Sequence, residues 1–378
     1  MKRITRRDSL KITGRAGVAA VGLTLADYAA GQATPQAPPI HRQRIDEYDP
    51  TNTRIGHIVS ATIRDDDILF LQQIGVRSIL VNFRPGESTL DQMRRVQERF
   101  ARHNIQVFGG LNYAYRSLRI QLGQPGRDED IEQYQTFLRN LGKLGIPVAT
   151  YDFHPANTYT TATVKNRGYM AREFSVDDFR TKIEKQQFDR EYSAEEIWAN
   201  YTYFIKAVLP VAEEANVTLA LHPDDPPLEK MNGVAKLFTH YDGYRRAEVI
   251  AAGSRHWGLT FCVGTWSEGG NRMGKNVFEM IRDFGGRGKI QVIHFRNVSS
   301  PLPRFHETFP DDGYLDMYQV MRLLRDVGFT GCAVPDHIPK LDDDDGMQRA
   351  GLAYCIATMR VMLRRANEEV DAAGRSLP

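Results

Sequence analysis

The sequence predicts an α/β chain folded as a (β/α)8 TIM barrel. Short apolar runs alternate eight times with helical patterns across residues 50–370, which is the order expected of a closed parallel barrel. Four of the later strands end in side chains that can bind metals, at spacings of 40, 32 and 42 residues. One strand, its crossover helix and two loops take about that length, so the four ends could meet. An open doubly wound sheet is the alternative, but it would not as readily bring the ends of four successive strands around one ion.

The first 33 residues stand apart from the fold. Residues 5–11, Thr-Arg-Arg-Asp-Ser-Leu-Lys, resemble a twin-arginine export signal, although Ser9 stands where that signal prefers Phe. Gly31-Gln-Ala33 fits a small-x-Ala cleavage site. We therefore predict a signal peptide over 1–33, a Pro- and Gln-rich linker over 34–49, a tail over 371–378 and a periplasmic mature protein. A disordered basic N-terminus is the alternative.

Charge and cysteine content narrow the class of function. The chain has a formal net charge of +2, and the excess of basic residues lies in the predicted signal, so the mature part carries no basic surface typical of nucleic-acid binding. The apolar run of the signal is too short to span a bilayer as a mature helix. Three cysteines give no even disulfide framework. Cys332 and Cys355 lie in apolar patterns and are predicted to be core residues.

The alternation can be followed along the chain, and local signals mark several of its ends. Gly145 and Gly328 end two helices, and Ser193 with Glu196 forms a capping box at the start of another. Strands are predicted at Ile55–Ile63, Arg77–Phe83, Ile105–Leu111, Ile146–Phe153, Val217–His222, Gly258–Val263, Ile290–Arg296 and Thr330–His337. Helices are predicted at Asp65–Gln73, Ser88–His103, Asp128–Leu144, Ser193–Asn216, Val234–Ala252, Val277–Phe284, Leu315–Val327 and Met347–Glu368.

Two connections on the predicted catalytic face are unusually long. Residues 154–192 follow strand four, and residues 298–313 follow strand seven and include His306. Loops of this kind usually have about two to six residues. We predict two polar, aromatic lids over a small hydroxylated substrate, with decorative insertions as the alternative.

Four strand-end residues form the predicted metal site: His222, Cys262, His294 and Asp336. Two imidazoles, one thiolate and one carboxylate suit a divalent transition metal. They converge on one point only if their strands are parallel and close into a barrel. For His222 alone, an ordinary strand-end histidine before a Pro/Asp turn is the alternative.

The segments around these residues resemble those of mannonate dehydratases, metal-dependent lyases with a xylose-isomerase-like barrel. Residues 219–227, Leu-Ala-Leu-His-Pro-Asp-Asp-Pro-Pro, are similar to a signature of that family. Further similar segments follow the family order at 120–128, 140–147, 259–262, 294–298, 316–321 and 335–337. The resemblance implies the same four ligands, one Mn²⁺ or Fe²⁺ ion, and removal of water from D-mannonate to give 2-keto-3-deoxygluconate.

The resemblance also implies roles for other residues. His337 matches a catalytic histidine of the family, with a loop histidine as the alternative. Arg296 is predicted to bind the substrate carboxylate as a planar fork, with an ion pair to a neighbouring acid as the alternative. Asp152 and His306 are also expected to contact the substrate.

Several positions depart from the family pattern. Ala350 stands where the family has a catalytic tyrosine, and Tyr354 lies one helical turn further on. Asp336-His-Ile-Pro339 replaces Asp-His-Gly-Arg, and Asp152-Phe-His-Pro155 replaces Asn-Phe-Met-Pro. The metal ligands are therefore kept while substrate and proton-transfer positions differ.

The sequence predicts a metal-dependent sugar-acid dehydratase that acts on a small-molecule sugar or sugar acid. An exported metal-dependent isomerase, epimerase or keto-sugar lyase on the same barrel is the alternative. A third hypothesis is a non-catalytic sugar- or metal-binding protein. The oligomeric state stays open, and a homo-oligomer is one option.

Overall fold

The computed structural model describes residues 46, 48–84, 86–155, 158–342, 344 and 346–372. The predicted signal peptide over 1–33 lies outside the described residues, as do most of the predicted linker and most of the predicted tail. Within the described ranges, the search for a helix with the length and apolar character needed to cross a bilayer finds none.

Eight parallel strands close into a barrel, which confirms the predicted fold. Each strand pairs with its neighbours in the chain, and the eighth pairs with the first. The barrel strands are β1 Arg54–Ser60, β2 Ser78–Phe83, β3 Gln106–Asn112, β4 Val148–Tyr151, β5 Thr218–Leu221, β6 Trp257–Cys262, β7 Ile290–His294 and β8 Cys332–Val334.

A principal helix follows each barrel strand and packs outside it. These helices are α1 Asp65–Gln73, α2 Leu90–Ala101, α3 Arg127–Lys143, α4 Ala194–Glu214, α5 Tyr241–Ile250, α6 Val277–Met280, α7 Met317–Asp326 and α8 Arg349–Ala372. Shorter helical segments lie at Tyr113–Arg116, Leu118–Gln121, Val176–Asp178, Phe179–Ile183, Val263–Gly269, Gly270–Met273 and Ile281–Gly285.

Side chains that point into the barrel fill it, so the site must lie at one end. An inner cluster includes Leu80, Phe108, Val148, Val292 and Cys332. Cys332 is fully buried there, as predicted, and Cys355, which belongs to the last helix, is buried against Tyr169 and Phe309. Because all eight strands are parallel, their carboxyl ends share one rim, where the active sites of such barrels are built.

Local signals located most helix ends, but one helix start was wrong. The predicted helix at Val234–Ala252 begins only at Tyr241, and two short antiparallel strands, Lys230–Met231 and Val234–Ala235, precede it. The turn between them is Asn232-Gly233, with φ angles of 52° and 85°. Asn-Gly favours a two-residue hairpin turn because both residues tolerate positive φ, so the turn overrides the helical pattern.

The two long connections form one structure rather than two separate loops. Strands Ala162–Asn166 and Tyr169–Ser175 come from the first, and Asn297–Val298 with Arg304–Thr308 come from the second. They pair as one four-stranded antiparallel sheet, in which Phe305 lies opposite Phe174. We call this sheet the lid sheet. It brings residues from the connection after β7 back to the carboxyl rim.

Candidate metal centre

Three of the four predicted ligands converge at the carboxyl rim. His222 follows β5, Cys262 ends β6 and His294 ends β7, and the potential ligand atoms of the three lie within 4.8 Å of one another. The His222 Nε2 and His294 Nδ1 atoms are 3.1 Å apart. Adjacent strands of one barrel therefore bring together side chains that are 40 and 32 residues apart in the sequence.

The geometry of this cluster fits a metal ion. Two imidazole nitrogens that each lie about 2.0–2.1 Å from one ion are about 2.8–3.4 Å apart at right to tetrahedral angles. The observed separation of 3.1 Å between the two histidine nitrogens agrees with that geometry. The three residues could therefore hold a divalent ion together with further oxygen ligands.

The charges around Cys262 favour the thiolate form that binds metals. Burial alone would raise the pKa of this thiol, but the charge of Arg296 and hydrogen bonds from His222 and His294 hold it well below its usual range. The Arg296 Nη2 atom lies 3.5 Å from the Cys262 sulfur. A thiolate with cationic donors beside it needs no further proton loss to become a ligand.

Asp336 lies beside the three-residue cluster rather than within it. Its Oδ2 atom is 3.5 Å from His294 Nδ1, and its side chain lines the same cavity as His222 and His294. Burial would raise the pKa of this carboxyl, but the charges of His337, His294 and Arg296 hold it well below the usual value. Asp336 is therefore an ionised oxygen donor next to the three other ligands.

Arg296 is enclosed by carboxylates, so its predicted contact with a substrate carboxylate is corrected. Its side chain has no exposed surface. Its guanidinium nitrogens lie 2.8 Å from Asp225 Oδ2, 2.7 Å from Glu268 Oε1 and 2.8 Å from Glu307 Oε1. Because these acids already contact the guanidinium, Arg296 stabilises the site from the side that faces away from the cavity. This is the alternative interpretation, an ion pair with a neighbouring acid.

The backbone beside Arg296 is adapted to its bulk. Gly264, in the helical segment after Cys262, leaves room that a side chain would fill, because a Cβ atom there would lie 2.0 Å from Arg296 Nε. Glu268 lies in the same segment, and burial together with nearby Asp225 raises its pKa well above the usual value. No sequence motif marks Glu268, since its role depends on Asp225 from the connection after β5 and on Arg296 and Glu307 from the connection after β7.

His337 occupies the position expected of an acid or base. Its side chain is 20% exposed and lines the cavity, and its Nδ1 atom lies 2.7 Å from Glu307 Oε1. Burial lowers the pKa of His337, but Asp336 and Glu307 outweigh it, so the net shift is upward. The residue has a positive φ of 46°, an unusual backbone conformation of the kind that concentrates at functional sites.

The position of Glu307 also corrects the prediction for His306. Both lie on the lid strand Arg304–Thr308, and successive side chains on a strand point to opposite faces. Glu307 points inward and is buried, whereas His306 pairs across the lid sheet with Glu173 and is not among the described residues that line the cavity. The predicted contact of His306 with the substrate is therefore not supported by its position.

Asp152 reaches the cavity, but with a partner that the sequence did not reveal. Arg116 donates to it through Nε, at 3.0 Å from Oδ2, and through Nη2, while Tyr115 donates its hydroxyl at 3.2 Å. His154 Nε2 lies 3.9 Å from Asp152 Oδ1. Arg116 closes the short helical segment after β3, and only its place behind a barrel strand could have drawn attention to it.

The two positions of α8 discussed in connection with the family tyrosine, Ala350 and Tyr354, do not lie among the described residues that line the cavity. Tyr354 donates its hydroxyl to Asp311 at 2.6 Å and is 40% exposed on α8. The Ala350 backbone donates to Asp344. From the segment that leads into α8, Gln348 reaches the cavity. Among the described residues, neither Ala350 nor Tyr354 supplies a hydroxyl to the site.

One cavity of about 400 Å³ lies at the carboxyl rim, and His222, His294, Asp336 and His337 line part of it. One wall carries the metal-type ligands, and the opposite wall carries Arg116, Asp152 and His154. Further lining side chains come from His57, Tyr113, Tyr115, Thr260, Ile338 and Gln348.

Comparison with known proteins identifies the family of the chain. The family model described as D-mannonate dehydratase (UxuA) matches residues 161–367, more than half of the chain. Mannonate dehydratase 2 of Halalkalibacterium halodurans is 31% identical over 260 residues, which cover 62% of this chain and 74% of that protein. The mannonate dehydratase of Streptococcus pneumoniae is 34% identical over 245 residues, which cover 58% of this chain and 66% of that protein.

Solved structures show the same fold. The crystal structure of mannonate dehydratase from Streptococcus suis serotype 2 superposes with a TM-score of 0.74 at 24% identity and covers 86% of this chain and 97% of that one. D-psicose 3-epimerase from Clostridium cellulolyticum H10 superposes with a TM-score of 0.54 at 12% identity and covers 82% and 99%. The family match, the curated relatives and the shared fold together establish that the chain belongs to the D-mannonate dehydratase family of hydro-lyases.

Proposed function

We propose that this protein removes water from D-mannonate to give 2-keto-3-deoxygluconate, with one divalent ion, Mn²⁺ or Fe²⁺, as its cofactor. Family membership supports the reaction. The observation that carries the proposal is the cluster of His222, Cys262 and His294, with ligand atoms within 4.8 Å of one another on a cavity wall. Asp336 is the proposed fourth ligand.

The reaction needs charge stabilisation before it needs proton transfer. A proton next to a carboxylate is a weak acid, because its removal places a second negative charge on the same group. A divalent ion held by His222, Cys262, His294 and Asp336 would supply the positive charge that stabilises this developing anion. The thiolate form of Cys262 and the ionised form of Asp336 fit that role.

His337 is the proposed acid that protonates the departing hydroxyl. The upward shift of its pKa favours the protonated imidazole near neutral pH. His337 Nδ1 lies 2.7 Å from Glu307 Oε1, so the protonated imidazole can donate to this carboxylate and is held by it. A group that delivers a proton must be protonated and held in one orientation, and the Glu307 contact serves both needs.

Two neutral imidazoles of the cavity lining, His57 on β1 and His154 after β4, are the proposed bases. Burial lowers the pKa of His57 to about 4 and also lowers that of His154. Both imidazoles are therefore in the neutral form near neutral pH. Acid and base groups with pKa values shifted in opposite directions around one cavity are the arrangement that elimination of water requires.

The test is turnover of D-mannonate by the manganese-loaded protein, followed as formation of a 2-keto acid. We expect turnover that disappears when the ion is removed by a chelator and returns when manganese is added. Turnover of a keto-sugar or an aldose with none of D-mannonate would contradict the proposal and favour an isomerase or epimerase. Binding of sugars without any turnover would favour a binding protein.

We also propose that the mature protein acts in the periplasm. The twin-arginine pattern of residues 5–11 supports this location. Replacement of both Arg6 and Arg7 by Lys should leave the uncleaved chain in the cytoplasmic fraction. A wild-type chain that stays in the cytoplasm of a host with an intact twin-arginine pathway would contradict the location.

A further inference from the structure

We infer that Arg116 and Asp152 bind the hydroxyl-bearing tail of the substrate, on the cavity wall that faces the metal-type ligands. The inference deepens the proposed function, because it assigns a specificity role at the same site. In the order of the barrel strands, β3 lies opposite β7 and β4 lies opposite β8.

That order separates the two charged groups across the cavity. Arg116 ends the helical segment after β3, and Asp152 follows β4. His294 ends β7, and Asp336 follows β8. A substrate whose carboxylate lies at the ligands of β7 and β8 therefore extends its remaining carbons toward Arg116 and Asp152.

Arg116 is anchored but still presented to the cavity. Its Nε and Nη2 atoms donate to Asp152, which leaves Nη1 outside that pair. Its guanidinium lies 4.5 Å from the ring centroid of Tyr113, which supports it from one side. The side chain is nevertheless 43% exposed and lines the cavity. A held guanidinium with one edge open can contact a ligand without first losing much conformational freedom.

The charge of the pair indicates what it binds. Asp152 is buried and ionised, since Arg116 outweighs the effect of burial and lowers its pKa. The pair is therefore close to neutral and has little excess charge to attract a second carboxylate. It presents N–H donors beside carboxylate acceptors, which matches hydroxyl groups because each hydroxyl both donates and accepts. The ligand class is thus a sugar acid with hydroxyls beyond the reacting carbons.

Arg119 provides a matched control. Like Arg116, it is an arginine with a 43% exposed side chain, and it donates through Nε and Nη2 to a buried aspartate, Asp130. It does not lie among the described residues that line the cavity. Substitution of Arg119 therefore removes the same kind of ion pair at a place that no substrate reaches.

The experiment compares two ligands with the same reacting end. 2-Keto-3-deoxygluconate carries a hydroxylated tail, whereas pyruvate has the same 2-keto acid head and no tail. Binding of each to the manganese-loaded protein is measured by calorimetry for the wild type, Arg116→Met and Arg119→Met. We expect the wild type and Arg119→Met to bind the longer acid at least about tenfold more tightly, since a hydrogen bond to a charged group contributes that much. Arg116→Met should lose that preference.

The result does not depend on turnover, so it can stand if the proposed reaction fails. A preference that survives in Arg116→Met would overturn the inference, as would a wild type that binds both acids equally or neither. If Arg116→Met does not fold, the double variant Arg116→Met/Asp152→Asn removes both partners and leaves no unpaired buried charge. That variant should also lose the preference, and its retention there would overturn the inference.

Discussion

Arg296 and Arg116 lie on opposite sides of the same site, and their surroundings separate a structural role from a binding role. Arg296 has no exposed side-chain surface, and its two terminal nitrogens contact Asp225, Glu268 and Glu307. Arg116 has one carboxylate partner, is 43% exposed and lines the cavity. An arginine whose terminal nitrogens contact buried acids positions other groups. An arginine with an open edge can contact a ligand.

The same contrast holds for the two cavity walls. On the wall of β5 to β8, ligand atoms must meet at one point, so residue types and positions are tightly constrained. On the wall of β3 and β4, the groups need only offer donors and acceptors to a flexible molecule. Changes on the first wall should therefore abolish function or folding, whereas changes on the second should alter preference.

The largest effect is expected from Cys262→Ala. Loss of the thiolate should remove the bound metal and lower kcat/KM by more than about 100-fold, because even residues that only support a metal ligand contribute about 10–100-fold. Metal content per chain and turnover are measured together. Cys355→Ala, which removes another buried thiol far from the ligands, should keep both. One metal per chain and full turnover in Cys262→Ala would show that residues on the β5 to β8 wall can also be changed without loss of function.

The next effect concerns stability. Arg296→Met leaves buried carboxylates without their cation and should lower the free energy of unfolding by about 3–5 kcal/mol. Arg116→Met should cost only about 1 kcal/mol, because Arg116 is half-exposed and Tyr115 still donates to Asp152. Urea denaturation of both variants measures the difference. Equal losses would show that the two arginines are alike as structural elements.

Glu307→Gln tests whether this residue of the lid sheet contributes to catalysis on the β5 to β8 side of the cavity. Without the negative charge on its partner, the pKa of His337 should fall, so that the imidazole is less often protonated near neutral pH and less well oriented. We expect kcat to fall by about tenfold or more with little change in KM, a part of the about 10²–10⁴-fold that a positioned acid contributes. His306→Ala, on the opposite face of the same strand, should stay within about twofold of the wild type if its orientation is as described. An equal loss in both variants would argue for general damage to the lid sheet.

The smallest effect is expected from Asp152→Asn. Removal of this charge leaves Arg116 as an uncompensated cation, which should then attract a second carboxylate. A six-carbon sugar diacid should inhibit this variant several-fold more strongly than it inhibits the wild type, as expected when a cation in a partly buried site gains a counterion. Inhibition constants for both proteins provide the measurement. No change in inhibition would mean that Asp152 does not set the charge that the tail meets.

The sequence predicted features that depend on local chemistry or on strand ends. The capping box of Ser193 and Glu196 is present, and the recurrence of His222, Cys262 and His294 at strand ends was enough to predict that they meet. Glu307 and His306 were harder, since the face of each depends on pairing with Glu173, more than 130 residues earlier. A local sequence pattern cannot predict the register of a strand when that register is set by a strand so distant in the chain.

The acidic residues around Arg296 could not be predicted from the sequence, because they are also distant from one another along the chain. Asp225, Glu268 and Glu307 come from three different connections, and only the closed barrel brings them to one guanidinium. The planar fork of Arg296 therefore suggested a substrate contact that its burial rules against. Arg116 lies in no motif, and its importance follows only from the side of the cavity on which β3 ends.

The proposed metal centre places one divalent ion between residues that follow or end β5 to β8. A crystal structure of the manganese-loaded protein, with anomalous scattering measured at the manganese edge, would locate that ion. We expect one strong peak per chain, with the His222, Cys262, His294 and Asp336 ligand atoms at about 2.0–2.4 Å from it. A peak elsewhere in the chain, or one that Cys262 and His294 do not reach, would show that these residues do not form the metal centre.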